Sequence, residues 1–126
     1  MGLITAMLTL ANPKRQDIKA IEAEALVDTG AVYLVIPDSI RAQLQLEKLS
    51  EKEVELADGS HRRIPYVGPI EVHFKNRAAY VGAIVMGDEV LLGAIPMEDM
   101  DLVLQPKKRL ADVNPESPGI ASAKAK

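Results

Sequence analysis

The sequence predicts a mainly-β protein, a small barrel or sandwich carrying one or two short helices. Short runs of alternating apolar and polar residues recur along the chain, and clusters of Asn, Asp, Gly and Pro separate them. Asp58-Gly59 sits between two such runs, the strongest short-range signal for a hairpin. Only one stretch has helical apolar spacing over more than a turn, and 126 residues are enough for a single core.

The elements follow in order. "LITAMLTL" alternates loosely and "NPKRQD" breaks it with turn residues. "IKAIEAEALVD" then sets Ile and Ala against Lys and Glu, so the two runs read as a hairpin. "VYLVI" is too short for a helix and rich in β-branched residues. "PDSIRAQLQL" opens with Pro at a first-turn position and puts Ile40 and Leu44 on one helical face. "VELA" and "RRIPYV" flank Asp58-Gly59 as the arms of a long hairpin. Pro65 and Pro69 confine parts of that hairpin to edge or bulged strand. Strands follow at "AAYVGAIVM" and "DLVLQ", with a short helix-like stretch after "VLLGA", and "PKKR" reads as a solvated turn between strands. The domain is expected over residues 1–113. Residues 114–126, without apolar period, read as a flexible tail.

Composition narrows the function. With three Tyr, one Phe and no Trp the core is aliphatic, and no aromatic platform exists for single-stranded nucleic acid. A net charge of −3 argues against a phosphate-binding surface. The absence of Cys removes disulfides, thiolate metal sites and a cysteine nucleophile. His61 and His73 follow no ligand spacing, and the acids of "MEDMD" lack a cation-loop pattern, so no metal or cofactor is expected. The apolar opening "MGLITAMLTLAN" precedes its first basic residues and is too short to span a bilayer, which takes about 20 residues. The expectation is a cytoplasmic protein without membrane or nucleic-acid partners.

One stretch carries chemistry. In "ALVDTGA" an ionisable carboxylate, Asp28, stands among small apolar residues and is followed at once by Thr29 and Gly30. Desolvating a carboxylate is costly unless hydrogen bonds or a proton compensate. Asp-x-Gly is also an ordinary turn, so Asp28 is either a turn residue bonding its own backbone or a reactive acid. Context sharpens the choice: Leu26 and Val27 precede it, Ala31 and a strand follow, and "VLLGA" supplies a second apolar pair and glycine further on.

Together, Ala25 to Ala31, the Asp58-Gly59 hairpin and Leu91-Leu92-Gly93 resemble the retropepsin-like aspartic proteases, above all the short single-lobe bacterial members. The resemblance covers roughly residues 3 to 106 and implies a closed β-barrel that works as a homodimer. By that likeness Asp28 is the catalytic aspartate, Thr29 braces the two loops across the dimer axis, and Gly30 presents backbone to substrate. Ala31 and Val32 would line the substrate path, Leu56, Ala57, Asp58, Gly59 and Ser60 would form a flap, and Leu91-Leu92-Gly93 would support the active loop. Retroviral members carry an acid and an arginine or asparagine where this chain has Val32 and Ala94. Losing the interacting acid and arginine together leaves no orphan charge. The implied activity is hydrolysis of peptide bonds in an extended peptide or protein. The alternative is a catalytically silent dimer of the same fold, acting as a peptide-binding or scaffolding module.

Overall fold

The computed structural model describes residues 3–125. Its elements are β1 (Thr5–Ala11), β2 (Ile21–Val27), β3 (Leu34–Ile36), α1 (Asp38–Leu44), β4 (Glu47–Glu55), β5 (His61–Phe74), β6 (Arg77–Val85), β7 (Val90–Leu92), α2 (Ala94–Asp99), β8 (Leu102–Gln105) and β9 (Leu110–Val113). The expected β1–β2 hairpin is present, antiparallel from Thr5↔Leu26 to Leu10↔Ile21. The Asp58-Gly59 hairpin is also present, joining β4 to β5. The "PKKR" turn lies between β8 and β9.

Six strands close into a barrel in the order β5-β6-β3-β7-β2-β1, and β1 returns to β5 through Thr9↔His73 to Ala11↔Glu71. β4 extends outward from β5, and β9 followed by β8 extends from β1. Closure hides the edges of those six strands, while β4 and β8 keep free edges. The outer strand β4 is rich in Glu and Lys and mostly exposed, which keeps its edge solvated.

Proline placement follows the ladder. Pro65 lies just ahead of the first β5–β6 pair, Tyr66↔Ile84, where β5 has only β4 beside it. Pro69 falls where the β5–β6 register breaks, between Val67 and Ile70. In α1 the proline is one place earlier than expected: Pro37 is the N-cap and Asp38 begins the helix. Leu44 is buried and Ile40 packs against the core, as their shared face requires. Asn12, itself buried, donates from Nδ2 to the carbonyls of Leu44 (2.9 Å) and Gln45 (3.3 Å), satisfying the end of α1.

Two apolar layers matter for function. Leu8, Leu10, Leu34, Ile36, Ile70 and Leu92 fill the barrel interior. Val35, Ile64 and Ile84 form a second, smaller cluster with Tyr33, Val54, Met86 and Leu91 packed on it. Strand alternation makes the partition: β3 sends Leu34 and Ile36 inward and Val35 outward. β6 does the same with Ala83 and Ile84, and β7 with Leu92 and Leu91. The outward layer lies beneath the β4–β5 hairpin rather than in solvent.

Residues 114–125 form no regular element, yet residues 114–122 do not stand clear of the body. Asn114, Ser117 and Ser122 bond to Asp101, while Asn76 and Arg77 bond to the carbonyls of Pro118 and Ser117. These are polar anchors, which need no apolar period. Among the described residues no helix is long and apolar enough to cross a membrane.

Candidate active site

The Asp28 loop is built by β2 and held by β7. β2 runs parallel to β7 from Ala25↔Val90 to Val27↔Leu92, and the Asp28 amide continues the ladder to the Leu92 carbonyl at 3.0 Å. The chain then turns. Ala31 N donates to Asp28 O (3.1 Å) and Gly30 N to Asp28 Oδ1 (2.9 Å), so the carboxylate organises its own loop. Its other oxygen accepts no hydrogen bond among the described residues. Asp28 is half-buried, Thr29 and Gly30 are exposed, and Val32 is 54% exposed. The apolar neighbours in sequence therefore do not seal the carboxylate from water.

The far side of the loop rests on the start of α2. Ala94 N and Ile95 N donate to the carbonyls of Ala31 and Val32, each at 2.8 Å. That approach requires a residue without a side chain at Gly93, where a Cβ would stand 2.2 Å from the Tyr33 carbonyl oxygen. Leu92, fully buried, ties the same support into the core. Leu91-Leu92-Gly93 and the Asp28 loop are thus in direct contact.

The hairpin tip is a small hydrogen-bonded turn. Leu56 N donates to Ser60 O (2.8 Å) and Gly59 N to Leu56 O (2.9 Å), with Gly59 at φ 86°. Asp58 Oδ1 accepts from both Ser60 Oγ (2.6 Å) and Ser60 N (2.9 Å). Those bonds, the hydroxyl's first, hold the Asp58 carboxyl below the usual carboxylate range. Ala57, Asp58, Gly59 and Ser60 are exposed, and Leu56 is half-buried.

Between loop and hairpin lies a groove of about 310 Å³. Gly30, Ala31, Val32 and Tyr33 form one wall, and residues 53–56 of the hairpin form the other. Val35, Ile84, Met86 and Leu91 make its apolar floor. Of the residues singled out from sequence, Gly30, Ala31, Val32, Leu56 and Leu91 share this groove. Asp28 and Thr29 flank it without lining it, and residues 57–60 stand beyond it at the hairpin tip. A hollow of about 470 Å³ along β4, among Lys48, Ser50, Glu51, Lys52, Glu53 and Arg63, shares Glu53 with that groove but no residue of the Asp28 loop.

Sequence reasoning missed Tyr33 in the wall and Val35, Ile84 and Met86 in the floor. Tyr33 and Tyr66 meet edge to face with centroids 5.6 Å apart, and the Lys52 ammonium lies 4.7 Å from the Tyr66 centroid. Tyr66 lies over Gly82, where a Cβ would come within 2.1 Å of the ring. The available signal was scarcity: two of only four aromatic side chains flank the strands that frame the loop. Among the described residues no group of His, Asp and Glu is arranged to hold a metal ion. His61 instead faces Glu53 (3.9 Å) and Glu55 (3.6 Å) on the hairpin. No protein-family model matches the chain, and no curated protein matches it significantly.

Proposed function

We propose that this chain is one subunit of a homodimeric, retropepsin-like aspartic endopeptidase. The observation that carries the reading is the groove shared by the Asp-Thr-Gly loop and the Asp58-Gly59 hairpin. An apolar floor beside a half-exposed carboxylate suits an extended peptide that buries one large apolar side chain. Peptide backbone can add along the free edge of β4, with side-chain pockets setting preference.

The chemistry needs a second carboxylate, and a two-fold axis supplies it from the partner's identical loop. Two carboxylates about 3 Å apart share one proton, because both cannot ionise together. The ionised one takes a proton from the intervening water as its oxygen attacks the carbonyl carbon. The protonated one polarises the carbonyl oxygen, and a proton passes to the leaving amine as the C–N bond breaks. Asp28 Oδ1 is held by the Gly30 amide, which fixes the carboxylate's orientation for that exchange. On this reading Thr29, exposed in the single chain, meets its counterpart across the axis.

A second reading rests on a specific observation: Asp28 does not line the groove, so peptide binding does not itself require the carboxylate. On that reading the protein is a silent peptide-binding dimer. The deciding experiment incubates purified protein with a diverse peptide library, with and without a transition-state-mimicking inhibitor of aspartic proteases. Inhibitor-sensitive cleavage that disappears in Asp28→Asn supports the enzyme; peptide binding without cleavage supports the module.

A further inference from the structure

We infer that Asp101 is a positioning residue for the Asp28 loop, anchoring residues 114–122 as a clasp that holds α2 in place. The inference rests on the reading of that loop as catalytic. α2 has only six residues and no side-chain N-cap, so it has little stability of its own. Its first two amides nevertheless carry the loop, through Ala94 N to Ala31 O and Ile95 N to Val32 O. Whatever fixes α2 therefore fixes the loop.

The other end of α2 is where the clasp closes. Asp101 follows the helix directly, its amide donating to Glu98 O at 3.0 Å, and it adopts φ 54°. Its carboxylate accepts from Asn114 Nδ2 (3.1 Å), Ser122 N (3.0 Å) and the Ser117 hydroxyl. Its carbonyl accepts from Asn114 N at 3.1 Å. One residue thus binds three points of a segment that has no apolar face to dock with.

A second anchor lies across the same segment. Arg77 is buried at 2% exposure and donates from Nη2 to the Ser117 carbonyl, while Asn76 Nδ2 donates to Pro118 O at 2.9 Å. Among the described residues Arg77 Nε and Nη1 have no hydrogen-bond partner, so Arg77 contributes a single bond to the clasp. Asp101 supplies four, three at its carboxylate and one at its carbonyl, which makes it the residue on which the closed clasp depends.

The test combines amide exchange with kinetics on the full-length chain. Asp101→Gly removes the carboxylate and suits φ 54°. In that variant the Ala94 and Ile95 amides should exchange roughly tenfold faster, while amides of the β1–β2 ladder stay within about twofold. On a cleaved peptide kcat should fall about tenfold with KM changed less than about threefold. Ser117→Ala, which removes the hydroxyl donor to Asp101, should speed exchange at the same two amides by a smaller factor. Uniform acceleration of all amides, or no change at Ala94 and Ile95, overturns the inference. Unchanged exchange in a protein that cleaves peptides leaves the protease reading standing. Localised loosening in a protein without peptidase activity supports the clasp and overturns that reading instead.

Discussion

Gly93 leaves no space for even a methyl group. A Cβ there would meet backbone, 2.2 Å from Tyr33 O and 2.8 Å from Ala31 O, and the Ala31 carbonyl is itself held by the Ala94 amide. Gly93→Ala is therefore expected to cost about 3 kcal/mol or more, read as a lowered unfolding midpoint, and to displace the Asp28 loop. A midpoint equal to the parent's would show that the approach at Gly93 relaxes freely. Thr29 makes the opposite case. It is exposed in the single chain, so Thr29→Ala should leave the subunit's own stability unchanged and weaken self-association by about 1–3 kcal/mol. A dissociation constant matching the parent's would remove Thr29 from the interface. At this scale Asp28, Thr29, Gly30 and Gly93 were legible in sequence, because short-range context marks a loop between an apolar strand and another strand. Tyr33, Ile84 and Met86 were not, since their role arises from β3 pairing parallel with β6, some 49 positions along (Leu34↔Ala83).

Two elements hang on single carboxylates. In the hairpin tip, Asp58 binds both the amide and the hydroxyl of Ser60, and Asp58→Ala should loosen the turn while the barrel persists. Under the protease reading KM then rises more than kcat falls, since the groove wall begins at Leu56. An unchanged KM would separate the tip from substrate binding. At the clasp, the Ser117 hydroxyl first, then the Ser122 amide, the Asn114 amide group and the Arg77 charge hold the Asp101 carboxyl below its usual range. A carboxyl depressed on folding stabilises above its unfolded pKa, near 3.9, and that contribution is lost as pH falls through the lower folded value. Clasp residues should thus stay protected at neutral pH and open below about pH 4. Opening already at pH 6 would contradict the assignment to Asp101. The hairpin was legible because Asp-Gly between alternating runs is a local signal; the clasp was not, because its bonds join residues with no periodic pattern.

The molecule as a whole joins a barrel to the Asp28 loop and the groove beside it. Most of its strands were legible from apolar alternation, β7 was read only as an apolar pair between strands, and a closed barrel was implied by resemblance alone. Closure depends on β1 meeting β5 and on β2 lying parallel to β7, pairings between distant segments that no local period encodes. The central claim, that Asp28 from two subunits forms one catalytic pair, is tested most directly by mixing. Wild-type and Asp28→Asn chains are co-refolded across a series of ratios, a size tag on one confirming exchange, and peptide hydrolysis is measured. Random pairing leaves about a quarter of the dimers fully wild type in an equal mixture. Activity falling with the square of the wild-type fraction is the predicted result; activity falling in a straight line would contradict a shared site.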